Sequence, residues 1–233
     1  MRIHFITHEK FEQPQAIETW AARHNHTISF SHVYLHEALP SVENFDCLVI
    51  MGGPQSTTTT LQECPHFNAP AEIKIIQQAI AAKKLVLGVC LGAQLIGEAY
   101  GAPCERSPNK EIGIFPIALN DEGKADPFFA DFPAEFSVCH WHGDMPGVPE
   151  TASILAYSEG CPRQIIRYDN HVYGFQCHME FTKGSIEELA AHSQEELEVS
   201  KNLPYVQDSQ KFMHADFVPM HALLFSFLDK FTA

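Results

Sequence analysis

The stretch KLVLGVCLGAQL, residues 84–95, is the clearest guide to the architecture of this chain. A short apolar run, Leu85–Val89, favours a buried β-strand, and it passes directly into a helical pattern at Leu91–Tyr100. Cys90 stands at the junction, with a glycine two positions to either side. This is the thiol form of the nucleophile elbow, in which a tight strand-to-helix turn presents one side chain at the end of a sheet. We therefore expect Cys90 at the carboxyl end of a parallel strand, where ligands bind in such sheets.

Apolar runs and helical patterns alternate through the first hundred residues. The strands and helices predicted before this junction are Arg2–Thr7, Pro14–Arg23, Thr27–Leu35, Asp46–Met51 and Ala69–Lys83. Continuous apolar strands that alternate with helices indicate a parallel sheet covered on both faces. The sequence therefore predicts the α/β class.

The second half of the chain has a different pattern. Its predicted strands, joined by short turns, are Ile112–Leu119, Phe136–His142, Ile154–Ser158, Gln164–Tyr168 and His171–His178. They indicate an antiparallel or mixed extension of the sheet. The pattern then becomes helical: Ser185 is expected to cap a helix, and Ser200–Gln210 to form a loop. A last helix is expected over Ala215–Phe231. No domain boundary is visible, so residues 1–233 are expected to form a single domain.

Charge and composition exclude several classes of function. The chain has 15 Lys and Arg against 29 Asp and Glu, a net charge of −14, which disfavours nucleic acid and anionic lipid as partners. No apolar run approaches the roughly 18 residues that span a bilayer, and the first residues lack a signal peptide's apolar region. We expect a cytoplasmic protein. Seven cysteines without a Cys-x-x-Cys pair argue against a disulfide framework or a zinc cage.

A nucleophilic thiol at the elbow requires a base. A helix N-terminus stabilises an anion by only about 0.3–1 kcal/mol in most settings, which is too little to ionise a thiol fully at neutral pH. The segment Gln176-Cys177-His178-Met179-Glu180 supplies candidates at the end of a predicted strand. In an extended backbone, spacing of two places the imidazole of His178 and the carboxylate of Glu180 on one face. Such a carboxylate orients an imidazole and stabilises its charged form. Cys90, His178 and Glu180 are therefore the candidate nucleophile, base and orienting acid.

Each of these features has a structural alternative. Cys90 can be a small buried residue at a strand end, and the other six cysteines are expected to be structural. The segment His140-Trp141-His142-Gly143-Asp144 has a spacing that resembles metal ligands in zinc hydrolases. No further histidine follows Asp144, so a loop that lines a substrate pocket is favoured over a metal site.

Four segments together resemble the class I glutamine amidotransferase family, and especially the domain that supplies ammonia to guanylate synthase. They are Met51-Gly52-Gly53-Pro54, Gly88-Val89-Cys90-Leu91-Gly92-Ala93-Gln94, His142-Gly143-Asp144 and Gln176-Cys177-His178-Met179-Glu180. The resemblance covers roughly residues 45–182. It implies a flavodoxin-like, three-layer sandwich with a mixed, mostly parallel central sheet.

The resemblance also implies a reaction. Cys90 would attack the side-chain amide of glutamine to give a glutamyl thioester and ammonia, with His178 as base and then acid. The backbone N–H groups of Gly53 and Leu91 would hold the oxyanion, and a glycine allows the close approach that this requires. The substrate would be bound by Gly52, Gln94, Trp141, His142 and Gly143. Neither a cofactor nor a metal is implied.

Two departures from the family pattern bear on function. The family usually has proline between the last His and Glu, where this chain has Met179, so a less rigid loop is expected. The relatives fuse or dock this domain to a synthetase, whereas this sequence shows no phosphate-binding loop for ATP. We expect a stand-alone glutaminase that passes ammonia to a separate synthetase, or a γ-glutamyl peptidase. The alternatives are a non-catalytic regulatory protein with the same fold, and another cysteine hydrolase, which would place histidine where Leu91 stands.

Overall fold

The computed structural model describes residues 1–212 and 214–233. Within them, nine strands form one mixed sheet. The strands are β1 (Arg2–Thr7), β2 (Thr27–His32), β3 (Cys47–Ile50), β4 (Leu85–Val89), β5 (Glu105–Leu119), β6 (Glu135–Met145), β7 (Ser153–Tyr157), β8 (Ile165–Asp169) and β9 (Val172–Phe175). Their spatial order is β2-β1-β3-β4-β9-β8-β7-β5-β6. The five strands from β2 to β9 pair in parallel, and the remaining pairs are antiparallel. The predicted mixed sheet is confirmed.

Helices cover both faces of this sheet. The α-helices are α1 (Gln15–Arg23), α2 (Ala69–Ala81), α3 (Leu91–Ala99), α4 (Asp121–Ala125), α5 (Lys183–His192), α6 (Gln194–Ser200), α7 (Ser209–Phe212) and α8 (Val218–Phe231). Apolar residues of α1, α5 and α8 pack in one core, and those of α2 and α3 pack in a second. Along β3, Cys47 and Val49 face the first core while Leu48 and Ile50 face the second. This alternation follows from the period of two in a strand and gives the predicted three layers.

Most predicted boundaries differ from the structure by a few residues, and three differences lie in the helical part after Glu180. The helix α5 is capped by Thr182, whose side chain accepts from the Ser185 N–H, so the expectation that Ser185 is the cap was wrong. Both hydroxyls suit a cap, and the structure uses the earlier one with Ser185 as its reciprocal partner. The helix α7 begins inside the segment predicted as a loop, and α8 begins at Val218 rather than Ala215.

The parallel strands bring the loops of the site to one edge of the sheet. Because β1, β3, β4 and β9 run in the same direction, their carboxyl ends lie side by side. The residues that follow these ends are His8 after β1, Gly52 after β3, Cys90 after β4 and His178 after β9. Four segments that are distant in sequence therefore meet at Cys90.

Candidate active site

Cys90 occupies the predicted elbow between β4 and α3. Its backbone has φ 51° and ψ −109°, a conformation that costs a non-glycine residue roughly 1–3 kcal/mol. The Cys90 N–H donates to the Phe175 carbonyl over 2.7 Å, which ties the elbow to the end of β9. A Cβ atom at Gly88 would overlap the backbone of Gly92, and one at Gly92 would overlap the carbonyl of Ile50. The two flanking glycines are therefore required by close backbone approach.

His178 lies on a short segment that leaves the sheet after β9. It is fixed to β6 by two hydrogen bonds with Cys139, from the His178 N–H over 2.8 Å and from the Cys139 N–H over 3.1 Å. The ring of Phe181 stacks on the imidazole with 4.0 Å between centroids and an angle of 11°. Met179 itself is buried in the apolar core. Backbone pairing and stacking thus hold His178 in a segment that lacks the usual proline.

His178 and Glu180 form a buried pair. The His178 Nδ1 and the Glu180 Oε1 are 2.7 Å apart, and each side chain is 2% exposed. Burial lowers the pKa of His178, but the Glu180 carboxylate and a hydrogen bond with Cys90 outweigh it and raise that pKa well above its usual value. Since Nδ1 is occupied by Glu180, the nitrogen left to face Cys90 is Nε2. The imidazole is therefore held in one orientation beside Cys90, with its charged form favoured by Glu180.

Two further groups contact the Cys90 sulfur. The Gln176 Nε2 donates to Sγ over 3.4 Å, and Sγ lies 3.8 Å from the Trp141 carbonyl oxygen. Gln176 is itself held by Gln94, whose Nε2 donates to the Gln176 Oε1 over 3.0 Å. Gln94 was expected to bind substrate directly. The structure places it at the cavity wall, where it also positions a donor to the sulfur.

The backbone N–H groups of Gly53 and Leu91 are the predicted oxyanion donors. Within residues 1–212 and 214–233, neither the Gly53 N–H nor the Leu91 N–H donates to a protein acceptor. Gly53 packs against the side chains of His8 and Leu91. Gly52 lies under the Glu12 carboxylate and close to both Cys90 and His178, and a Cβ atom there would overlap that carboxylate.

A cavity of about 620 Å³ opens over these groups. Its lining includes Cys90, His178, Gly53 and Gln94, together with the predicted substrate segment Trp141–Gly143. The far side is lined by charged residues in ion pairs, namely Arg106 with Asp144 over 2.9 Å and Lys110 with Glu196 over 2.5 Å. The Trp141 Nε1 also donates to Glu196 over 2.9 Å, so a carboxylate of α6 fixes the indole at the rim.

The side chains of the segment at residues 140–144, whose spacing resembles that of metal ligands, do not converge on one point. His140 and His142 both turn inward toward Glu111, at 3.5 Å and 3.1 Å from its Oε2, whereas Asp144 pairs with Arg106. Ligand atoms of Glu111, His142 and Cys161 lie within 4.8 Å of one another, so this group could hold a cation. The Glu111 Oε2 already accepts from Ser158 and Gln164, over 3.0 Å and 2.6 Å. The network anchors the part of β6 that carries Trp141, so this segment is a strand that borders the cavity and the expectation of a loop was wrong.

Sequence reasoning missed three carboxylate or imidazole groups at this edge, His8, Glu12 and Glu72. His8 and Glu12 follow β1, and the rule that parallel strands end at one edge applies to that loop as it does to Cys90. Glu12 is 8% exposed, and burial raises its pKa to about 7 despite the attraction of His178 and His8. Glu72 lies on α2 and reaches the site only through His8, so no local signal marked it.

Comparison with known proteins agrees with this geometry. The family model for class I glutamine amidotransferases matches residues 16–192. The chain belongs to the class I glutamine amidotransferase family. It is 48% identical over its whole length to the glutamine amidotransferase-like protein YfeJ of Salmonella typhimurium, of which it covers 98%. It is also 28% identical over 78% of its length to one of the subunits of the glutamine-hydrolysing GMP synthase of Saccharolobus solfataricus, covering 93% of that protein.

A solved structure extends the agreement to three dimensions. The crystal structure of SMU.1228c superposes with a TM-score of 0.98, with 47% identity and full coverage of both chains. Family membership identifies glutamine amide hydrolysis as the general class of reaction. No helix among residues 1–212 and 214–233 has the length and hydropathy needed to cross a membrane.

Proposed function

We propose that this amidotransferase hydrolyses the side-chain amide of glutamine, or of a γ-glutamyl compound, through a covalent glutamyl thioester. One observation carries the proposal: the strained elbow holds the Cys90 thiol at the imidazole of His178, whose other nitrogen is paired with the buried Glu180. A binding protein needs neither a strained nucleophile nor a buried ion pair beside it. This arrangement therefore favours an enzyme over a regulatory protein with the same fold.

The first half-reaction forms the thioester. The Cys90 sulfur, as thiolate, adds to the amide carbon, and the oxygen becomes an oxyanion that accepts from the N–H groups of Gly53 and Leu91. The C–N bond then breaks, and the His178 imidazolium gives its proton to the departing nitrogen. The product is ammonia from glutamine, or an amine from a substituted amide. Glu180 stabilises the imidazolium until the proton leaves.

The second half-reaction regenerates the thiolate. Neutral His178 takes a proton from water, and the hydroxide adds to the thioester carbon through the same oxyanion site. The C–S bond breaks, glutamate is released, and the imidazolium is again beside a thiolate. Cys90, His178 and Gly53 line one cavity, and Glu180 is paired with His178.

The cavity supports substituted amides as a second candidate substrate class. Its 620 Å³ lies in the range of about 300–1,000 Å³ that holds drug-sized ligands, and glutamine is much smaller. The cavity is also lined by Arg106 and Lys110 and by Glu9 and Glu12. These charges suit a leaving amine that carries its own amino or carboxylate group, as in a γ-glutamyl peptide.

We also propose a partner enzyme and a cellular location for this protein. The GMP synthase relative is named as one component of a glutamine-hydrolysing enzyme. By analogy, a separate synthetase is the proposed acceptor of ammonia if glutamine is the substrate. Residues 1–233 are proposed to act as a single domain in the cytoplasm, without a nucleic-acid or membrane partner, since the net charge is −14.

Substrate profiling tests the proposal. Purified protein is assayed for glutamate release from glutamine and from a panel of γ-glutamyl dipeptides, beside Cys90→Ala as the matched control. We expect turnover by the wild type and none by Cys90→Ala, with the same thermal midpoint within a few degrees. Mass spectrometry of quenched reactions should show a glutamyl adduct on Cys90. Equal turnover by Cys90→Ala would exclude the mechanism, and faster hydrolysis of dipeptides would select the peptidase.

A further inference from the structure

A second histidine–carboxylate pair lies behind the proposed oxyanion site. The His8 Nε2 is 2.8 Å from the Glu72 Oε2, and the His8 Nδ1 is 2.9 Å from the Gly52 carbonyl oxygen. The side chains of His8 and Glu72 are 0% and 1% exposed. The ring of Phe67 packs edge-on against the imidazole. The reaction described above assigns no role to this pair, although it is as deeply buried as the pair at His178.

The partners of His8 fix its hydrogens. A backbone carbonyl oxygen can only accept, so the His8 Nδ1 must donate to Gly52. The His8 Nε2 lies beside the Glu72 Oε2, and a carboxylate at this position favours a proton on that nitrogen as well. Burial lowers the pKa of His8, but Glu72, the Gly52 carbonyl and Glu12 together raise it above its usual value. The donor to Gly52 is therefore held in a fixed orientation, beside carboxylates that favour the charged form of His8.

The contact to Gly52 has a direct consequence for the next residue. The Gly52 carbonyl and the Gly53 N–H belong to one planar peptide unit, so an oxygen held on one side directs the N–H to the other. His8 also packs against Gly53 itself. We infer that His8, held by Glu72, is a positioning residue that keeps the Gly53 N–H directed at the oxyanion formed on Cys90. The positive charge on His8 would also polarise this peptide toward a stronger donor.

The peptide between Gly52 and Gly53 needs an external contact to fix its orientation. Gly52 and Gly53 lack side chains, and their N–H and C=O groups are outside any strand or helix. A glycine peptide rotates more easily than any other, so an unsupported oxyanion donor here would sample other orientations. The carboxylates that face His8 are Glu72 from α2 and Glu12 from the loop after β1.

The inference rests on the proposed function, and three variants test it. His8→Leu removes the donor, and His8→Asn restores an N–H near the position of Nδ1. His4→Leu is the matched control, because His4 is also buried on the β1 segment but bonds to Ser29 and Ser31 away from the site. For His8→Leu we expect kcat to fall roughly 10–100-fold, below the ~10²–10³ for complete loss of an oxyanion donor. KM should stay within about threefold, since ground-state contacts remain.

A reaction without an oxyanion separates positioning from general damage. Alkylation of Cys90 by the neutral reagent iodoacetamide is a direct displacement, so its rate at the alkaline plateau should be the same in His8→Leu and wild type. His8→Asn should recover most of kcat, and His4→Leu should keep it. A His8→Leu enzyme with unchanged kcat, an equal loss in His4→Leu, or a His8→Asn enzyme as slow as His8→Leu would each overturn the inference.

Crystal structures of wild type and His8→Leu make the outcome independent of turnover. We expect the peptide between Gly52 and Gly53 to rotate or lose definition in His8→Leu. An unchanged peptide would overturn the inference whatever the activity. A wild type that hydrolyses neither glutamine nor any γ-glutamyl amide would instead overturn the proposed function, and the peptide orientation would still decide the role of His8.

Discussion

Replacing Glu180 by Gln gives a quantitative test of the buried pair at the candidate catalytic base. The change keeps the volume of the side chain and removes the charge that lies 2.7 Å from the His178 Nδ1. Breaking a buried pair by removing one partner costs roughly 3–5 kcal/mol. If that cost falls on the imidazolium required for thioester formation, kcat should fall by about 10²–10⁴, because each 1.36 kcal/mol added to the barrier lowers the rate tenfold.

The pH dependence provides the second observable for Glu180→Gln. The pKa of His178 is raised well above 6.5 in the folded protein, so its imidazolium persists at neutral pH and is lost as pH rises through that pKa. Removal of the carboxylate leaves burial as the main influence, and burial lowers the pKa. The alkaline limb of the kcat profile should therefore move to lower pH in the variant. Glutamate release is measured from about pH 5.5 to about pH 10 under saturating substrate, a range that brackets the ordinary pKa of histidine.

Glu187→Gln serves as the control, because Glu187 is a surface residue of α5 that pairs with Lys183 over 3.9 Å. It should leave both kcat and the pH profile unchanged. A Glu180→Gln enzyme within threefold of wild type, with its alkaline limb in the same place, would contradict this account of the pair. The charge of His178 would then have to be supported by other groups.

Two further predictions concern residues around the elbow and the cavity. Gly92→Ala should lower the free energy of unfolding by about 1–3 kcal/mol and reduce turnover, because the new Cβ would overlap the Ile50 carbonyl. Gly184→Ala on α5 is the control, because its Cβ meets open space and should change neither quantity. Thermal unfolding and kcat are measured for both variants. Glu12→Gln should raise the thermal midpoint more at pH 8 than at pH 5. The pKa of Glu12 is about 7 in the folded protein and 4.5 when unfolded, so the wild type loses stability as pH rises between these values and the glutamine variant does not. An equal difference in midpoint at both pH values would contradict the burial argument.

The central fold was predictable because its strands carry continuous apolar runs. The predicted β1 and β4 coincide with Arg2–Thr7 and Leu85–Val89. The strand β5 begins seven residues earlier than predicted, at Glu105, because its polar first part pairs with β6 through partners such as Arg106 and Asp144. That pairing is a tertiary contact between polar segments, so hydrophobic periodicity carries no signal for it.

Site residues that lie close together in sequence were predictable, whereas those that only the fold brings together were not. The elbow at Cys90 follows from residue order alone, and a spacing of two predicted that His178 and Glu180 would meet. Glu12 and Glu72 lie on separate segments, and only the assembled sheet brings Glu12 against Gly52 and Glu72 against His8. A sequence without its topology offers no means to choose them among 29 acidic residues.

The charges at this edge explain why the site needs burial as well as geometry. His178 is paired with Glu180 and His8 with Glu72, so each imidazole has its own carboxylate, which favours its charged form. Glu12 lies over Gly52, attracted by both imidazoliums, and burial still holds its pKa near 7. A further permanent anion there would oppose the thiolate and the oxyanion, which are themselves negative. Because Glu12 is partly protonated near neutral pH, the Cys90 site carries less negative charge than its sequence suggests.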